Sequence, residues 1–296
     1  MASTSSPSVK SGTAIGLLCG TGAALCWALG FVAARHGIDA GVPPPMIAMH
    51  RYLWTGLVLL PLAARNGFAD IRALGWRRSF LLTLFGGLPQ AALSYSGFLF
   101  VPLGHGGVIQ PACASLGGLL LARLVLREPL PGRRIAGAFA IVIGLLIIGA
   151  EAMRTIGAHG VAGDFMFAAA GCSFATFGML LWLWRVEPMH AVVVTSLISL
   201  FGMPAAAFGF GATVHAGLLE NLLQAVVQGA LAGAGAIYLF ARAVVLLGAS
   251  RAAVFPSLVP PMTLLTGFLA LGVVPSLSQL AGLVIVLVGF RLTQQN

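Results

Sequence analysis

Ten apolar stretches, each close to the length of a bilayer-spanning helix, fill nearly all of the 296 residues, and the second five repeat the pattern of the first five. They fall near 13–34, 45–64, 79–101, 105–126, 133–150, 161–184, 189–209, 219–243, 250–273 and 276–293. About 20 apolar residues in helical conformation cross the hydrocarbon core of a membrane. A water-soluble domain carries roughly a quarter charged residues; this chain carries 8%, against 59% hydrophobic. The spacing predicts an all-α membrane protein with short connections and no separate soluble domain. The flank Val32-Ala33-Ala34-Arg35 looks like a signal-peptide cleavage site, but the apolar run before it is too long for an h-region and further spans follow at once. The first span therefore reads as a retained helix behind a disordered leader at 1–12.

The net charge of +9 sorts by side of the membrane. With ten spans, one face receives Lys10, Arg65, Arg72, Arg77, Arg78, Arg123, Arg127, Arg133, Arg134, Arg185, Arg242, Arg251 and Arg291; the other receives Arg35 and Arg154. Positive charge marks the cytoplasmic face, so both termini are expected there, in a multi-pass protein of a bacterial-type inner membrane. The basic rim suits a lipid bilayer with anionic headgroups, and no nucleic-acid partner is expected. Cys19, Cys26, Cys113 and Cys172 all fall inside spans without zinc spacing, which predicts free thiols and no metal or other cofactor.

The halves overlay at a shift of about 145 residues. Pro111 then falls on Pro256, Gly137 on Gly282 and Gly144 on Gly289, while Ala-Ala-Leu-Cys at 23–26 meets Ala-Ala-Gly-Cys at 169–172. Five spans per half is odd, so the second copy enters the membrane from the opposite side. The expected fold is thus ten transmembrane helices in two inverted five-helix repeats, at 13–150 and 151–296. Inverted repeats can exchange roles, the structural basis of alternating access; they can also record a duplication kept only for stability. Gly12, Gly16 and Gly20, and Gly229 with Gly233, form small-residue ridges that let helices approach closely. Pro111, Pro256 and the pair Pro260-Pro261 are candidate hinges or fixed kinks.

Three local motifs accompany this architecture: His50-Arg51-Tyr52 early in the second span, Leu126-Arg127-Glu128-Pro129-Leu130 after the fourth, and Arg134-Ile135-Ala136-Gly137 with Gly144 in the fifth. Together with ten spans in two copies, they resemble the drug/metabolite transporter superfamily and its EamA-type exporters. The resemblance covers nearly the whole chain and implies export of small metabolites, amino acids among them, including aromatic ones. The second copy departs from the pattern: Val273-Val274-Pro275-Ser276 stands where the family often has another acidic residue. Glu128 is therefore expected to order its loop by pairing with a nearby arginine, without a coupling role.

All seven acidic residues, Asp39, Asp70, Glu128, Glu151, Asp164, Glu187 and Glu220, fall in loops or near predicted helix ends. Proton-coupled efflux of cations ordinarily uses a buried carboxylate, so the pattern favours neutral, zwitterionic or anionic solutes. Arg51, about two turns into its span, either meets a solute carboxylate or snorkels to the interface. His50 is its neighbour, a titratable group or an interfacial donor. Gln90, Tyr95, Gln110, Ser115, Ser173 and Thr176 are polar groups that need partners in the membrane, whether a solute or another helix. Trp27, Trp54, Tyr95 and Tyr238 either wall an apolar pocket or join the interfacial aromatic belt, to which Trp76, Trp182 and Trp184 belong by position.

Other classes have little support. There is no H-E-x-x-H helix, no intramembrane aspartate pair and no Walker loop. Gly248-Ala249-Ser250-Arg251 has a G-x-S pattern without a histidine placed to activate the serine. The reading is a secondary transporter, not an enzyme, exporting small metabolites, foremost amino acids with apolar or aromatic side chains, through a central cavity. The alternatives are a cationic drug efflux carrier and a membrane-embedded enzyme.

Overall fold

The computed structural model describes residues 7–101, 103–153, 160–210, 217–272 and 274–295. All regular structure among them is helical. In chain order the α-helices are α1 (Pro7–Asp39), α2 (Pro44–Arg65), α3 (Ala69–Leu74), α4 (Trp76–Gly86), α5 (Leu88–Ser96), α6 (Leu103–Leu124) and α7 (Gly132–Met153). Then follow α8 (Gly160–Leu183), α9 (Pro188–Phe210), α10 (Leu218–Gln224), α11 (Ala236–Leu247), α12 (Ala249–Ala252), α13 (Val259–Leu271) and α14 (Leu277–Gln294). A π-helical segment, Ala225–Gly235, joins α10 to α11, and a 3-10 turn, Phe255–Leu258, leads into α13. Residues 1–6 of the expected disordered leader lie outside the described residues, and from Pro7 the chain is already helical. Arg154, counted above on the sparse side, also lies outside them.

Among the described residues eight helical runs are long and apolar enough to cross a membrane. The expected third span departs from this: it is broken into α4 and α5. Gly87 ends α4 with its N–H on Thr83 O at 2.7 Å, then turns extended at φ −102°, ψ −151°. Pro89 follows in the first turn of α5, where a missing N–H costs nothing. The break frees a carbonyl and an amide in an apolar setting, and both find side chains. Tyr52 donates to Gly86 O at 2.7 Å, and Leu88 N–H donates to Ser199 Oγ at 2.9 Å. The seventh expected span is α9, of which Pro188–Met203 forms a shorter apolar run.

The expected proline kink also moves. Pro260 and Pro261 lie in the first turn of α13, where proline starts a helix without bending it; the irregular step is the 3-10 turn before them, which holds Pro256. Pro111 does lie inside a helix, α6.

Small residues set the closest contacts. α7 and α14 cross backbone on backbone: a Cβ on Gly137 would lie 2.6 Å from Gly289 O, and one on Gly289 would lie 2.7 Å from Gly137 O. Gly144 and Gly282 oppose each other in the same way. The pairs 137–289 and 144–282 require the two helices to run in opposite directions. Gly233, in the π-helical segment, sits against Arg51 O, and Thr55 donates to Gly229 O at 2.8 Å. The wide π turn lets this segment close on α2; π geometry is rare and frequently accompanies functional sites.

The main core lies among α1, α2, α5, α8 and α11, around Tyr52, Phe177 and Phe240. The outer surface is apolar, with Leu18, Val161, Phe165, Leu219 and Leu277 all exposed. A water-soluble protein does not present such a surface, whereas lipid solvates it. The four cysteines are free. Arg78 stacks over Trp184, 5.6 Å from the ring centroid.

Candidate functional site

The broken span shapes the site. Because α5 restarts at Leu88, Gln90, Ser94 and Tyr95 come round to one face at helical spacing and point between the helices. They line a cavity of about 50 Å³ together with Trp27 and Phe31 of α1, Arg51 of α2, Gln110, Pro111 and Ala114 of α6, Phe174 of α8, and Pro256 and Val259. At roughly 10–15 Å³ for each water, the space holds a few waters.

Its chemistry is uneven. One wall is aromatic: Trp27 meets Phe174 edge-on at 5.1 Å, and Phe240 packs behind both at 5.6 and 4.8 Å. The other wall is polar and mostly satisfied. Ser94 donates to Gln110 Oε1, Gln90 Nε2 donates to Ala170 O at 3.4 Å, and Tyr95 donates to Gln228 Oε1 at 3.1 Å. Two donors are left over. Arg51 Nε and Trp27 Nε1 are buried without a hydrogen-bond partner. No ion pair among the described residues includes Arg51, and none of the lining residues is a carboxylate. The cavity is therefore positive and rich in donors, able to receive an anionic or carboxylate-bearing group.

Of the residues singled out in the sequence, Trp27, Arg51, Gln90, Tyr95, Gln110, Pro111 and Pro256 meet at this cavity. The others do not line it. His50 accepts from Trp54 Nε1 at 2.7 Å, and Trp54 is partly exposed. Ser115 is buried with its hydroxyl unpartnered. Ser173 donates to Phe85 O at 3.1 Å, and Thr176 to Cys172 O at 3.0 Å on an exposed face. Tyr238 is 40% exposed on the outer surface. Pro260 and Pro261 lie beyond the cavity's edge, one and two residues past Val259. Sequence reasoning missed Phe31 and Phe174. Phe31 lies four residues after Trp27, on the same helical face, and that spacing was the available signal.

Polar groups also tie the chain's two halves together away from the cavity. Ser250 bridges Glu128 and Arg134, donating to Glu128 Oε2 and accepting from Arg134 at 2.9 Å. Glu128 thus reaches an arginine through a serine of the second half, not directly as expected. At the other end, Glu220, expected near a helix end, is only 8% exposed. Its carboxylate lies 2.9 Å from His36 Nδ1 and accepts from Gln224 Nε2 at 2.7 Å. Gln224 and Gln228, both fully buried, donate to Ala33 O and Gly30 O of α1, each at 2.7 Å.

Apolar membrane-length helices around a cavity with polar side chains define a multi-pass integral membrane protein. The chain belongs to the EamA-like transporter family, whose model matches it twice, over residues 14–150 and 161–294. It is therefore a membrane transporter of the drug/metabolite type with two family repeats. Among solved structures, one crystal structure of a protein shares the fold with a TM-score of 0.77 at 18% identity, covering 95% of each chain. No curated protein matches the sequence.

Proposed function

We propose that this transporter exports amino acids with apolar or aromatic side chains across the inner membrane, by alternating access through the cavity beside Arg51. The observation that carries the reading is the pair of buried, unpartnered donors, Arg51 Nε and Trp27 Nε1, in an aromatic-walled cavity. A buried donor without a partner costs about 1–3 kcal/mol, and a solute carboxylate relieves both at once. The planar guanidinium suits that geometry better than an ammonium would. Phe31, Tyr95 and Phe174 supply apolar surface for the side chain, and aromatic faces also attract an ammonium. A space for a few waters must widen to accept an amino acid, as a carrier's cavity does in its open states.

In this reading ten helices form two inverted five-helix repeats, 13–150 and 151–296, with both termini cytoplasmic. The opposed direction of α7 and α14 supports it, because Gly137 and Gly144 face the repeat equivalents of each other. So does the presence of Pro111 and Pro256, one repeat apart, in the lining of the same cavity. Both prolines serve as hinges, Pro256 within the 3-10 turn that precedes Pro260 and Pro261. A guanidinium on the wall and no carboxylate among the lining residues count against cationic drugs.

The test uses the purified protein in liposomes with radiolabelled phenylalanine, competed by amino acids, nucleosides and cationic dyes. Apolar and aromatic amino acids are expected to compete; competition by dyes alone overturns the assignment. Trp27→Ala, Tyr95→Ala and Gln110→Ala should each lower flux more than expression. Near-normal flux in all three removes the cavity from the transport path.

A further inference from the structure

Glu220 sits on α10 at the end of the bundle where α1 and α2 join, and it is enclosed. His36 of α1 lies 2.9 Å from one carboxylate oxygen, and Gln224 donates to the other at 2.7 Å. His50 of α2 is the remaining titratable neighbour, reached through Asn221. Its Nδ1 already accepts the Trp54 indole N–H, so protonating it breaks a bond. Arg35 and Asp39, also on α1, pair with each other at 2.8 Å, both more than half exposed. The remaining polar neighbours on α10 and the π-helical segment are amides. His36, with half its side chain in contact with solvent, therefore links the buried carboxylate to water.

Gln224 gives this arrangement two states. Its amide nitrogen spends one hydrogen on Glu220 and the other on Ala33 O, tying α10 to α1, while its amide oxygen is buried without a partner. An ionised Glu220 can only accept, and it holds the amide in this orientation. A protonated Glu220 gains a donor, and the Gln224 oxygen is the orphaned acceptor beside it. Using that acceptor requires the amide to turn, and the turn withdraws the N–H from Ala33 O. Gly37 permits the close approach: a Cβ there would lie 2.5 Å from Gln224 Nε2.

We infer that Glu220 is a proton-binding site, loaded from the aqueous phase through His36, whose protonation releases Gln224 from α1 and so couples a proton to the opening of the bundle at that end. In the transfer, the Nδ1–H bond of the His36 imidazolium breaks as an O–H bond forms at Glu220 Oε2, and the neutral acid then rotates to bring that hydroxyl from His36 to the Gln224 side. The imidazole is reprotonated from water. One turn further along, Gln228 donates to Gly30 O of the same helix α1 and accepts from Tyr95 on the cavity wall, so release at Gln224 frees the helix that also carries the contact nearest the solute site. That the opening serves solute exchange rests on the carrier reading above; the proton site does not.

Two measurements on the full chain in lipid test this. Infrared difference spectra across about pH 4 to 8, where carboxylates and histidines titrate, should show a protonated-carboxyl band that is missing from Glu220→Gln. In liposomes with an imposed pH gradient, the wild type should accumulate phenylalanine several-fold above equilibrium. Glu220→Gln should only equilibrate it while retaining counterflow exchange. Equal accumulation by the two proteins, or no carboxyl band assignable to Glu220, overturns the proposal. A Glu220 band in a wild-type protein that moves no phenylalanine supports the proton site and sinks the solute reading. Phenylalanine flux indifferent to pH, with no such band, does the reverse.

Discussion

Arg51 Nε and Trp27 Nε1 are buried donors that no group among the described residues satisfies. A charged hydrogen bond contributes about 1.5–3 kcal/mol, so Arg51→Gln is expected to raise the KM for a carboxylate-bearing solute by about 10- to 100-fold. The detergent melting temperature should not fall, because the substitution removes a buried donor that has no partner. Radiotracer kinetics and a thermal melt on the same preparation check both halves. A lowered melting temperature with unchanged KM would make Arg51 structural. Much of this cavity was legible in the sequence, since Arg51, Gln90 and Gln110 are polar groups in apolar helices, where polarity needs a reason. Phe31 and Phe174 were not, because an aromatic side chain in a span reads the same whether it faces lipid or a cavity. Glu220 was missed for a related reason. Hydropathy gives its depth along the helix, but not that α1 and α2 cover it.

The α4–α5 break depends on atoms from two other places in the chain. Tyr52→Phe leaves the Gly86 carbonyl buried and unpaired, and Ser199→Ala does the same to the Leu88 amide. Each should cost about 1–3 kcal/mol, seen as a lower melting temperature in detergent. Flux should fall as well, because α5 carries Gln90, Ser94 and Tyr95 into the cavity. Gly233→Leu is expected to be equally harmful, since its side chain would meet the Arg51 backbone, and overpacking typically costs 1–3 kcal/mol. The elements Gly86-Gly87-Leu88-Pro89 and Gly229-x-x-x-Gly233 were visible in the sequence as glycines and a proline. Their consequence was not: a hydropathy window averages across a break, and π bonding depends on what the neighbouring helix allows.

At the scale of the molecule, the repeat was the most legible feature, because glycines one repeat apart have to recur where two backbones meet. The opposed run of α7 and α14 leads to a topology prediction. A membrane-impermeant thiol reagent should reach single cysteines at Ser8 and Gln295 from the same side of sealed vesicles; labelling from opposite sides would overturn the inverted arrangement. Ser250→Ala should lower the melting temperature, since it leaves Glu128 and Arg134 without their shared bridge between the halves. The glycine contact between α7 and α14 has a mechanical corollary. With carbonyl oxygens lodged against bare Cα atoms at both crossings, neither helix can slip lengthwise past the other. On the proposed alternating-access reading, relative motion of the halves is left with rotation, and the seam becomes its axle. A methyl group introduced at position 137 or 289 would seize that axle and slow inward and outward passage by the same factor.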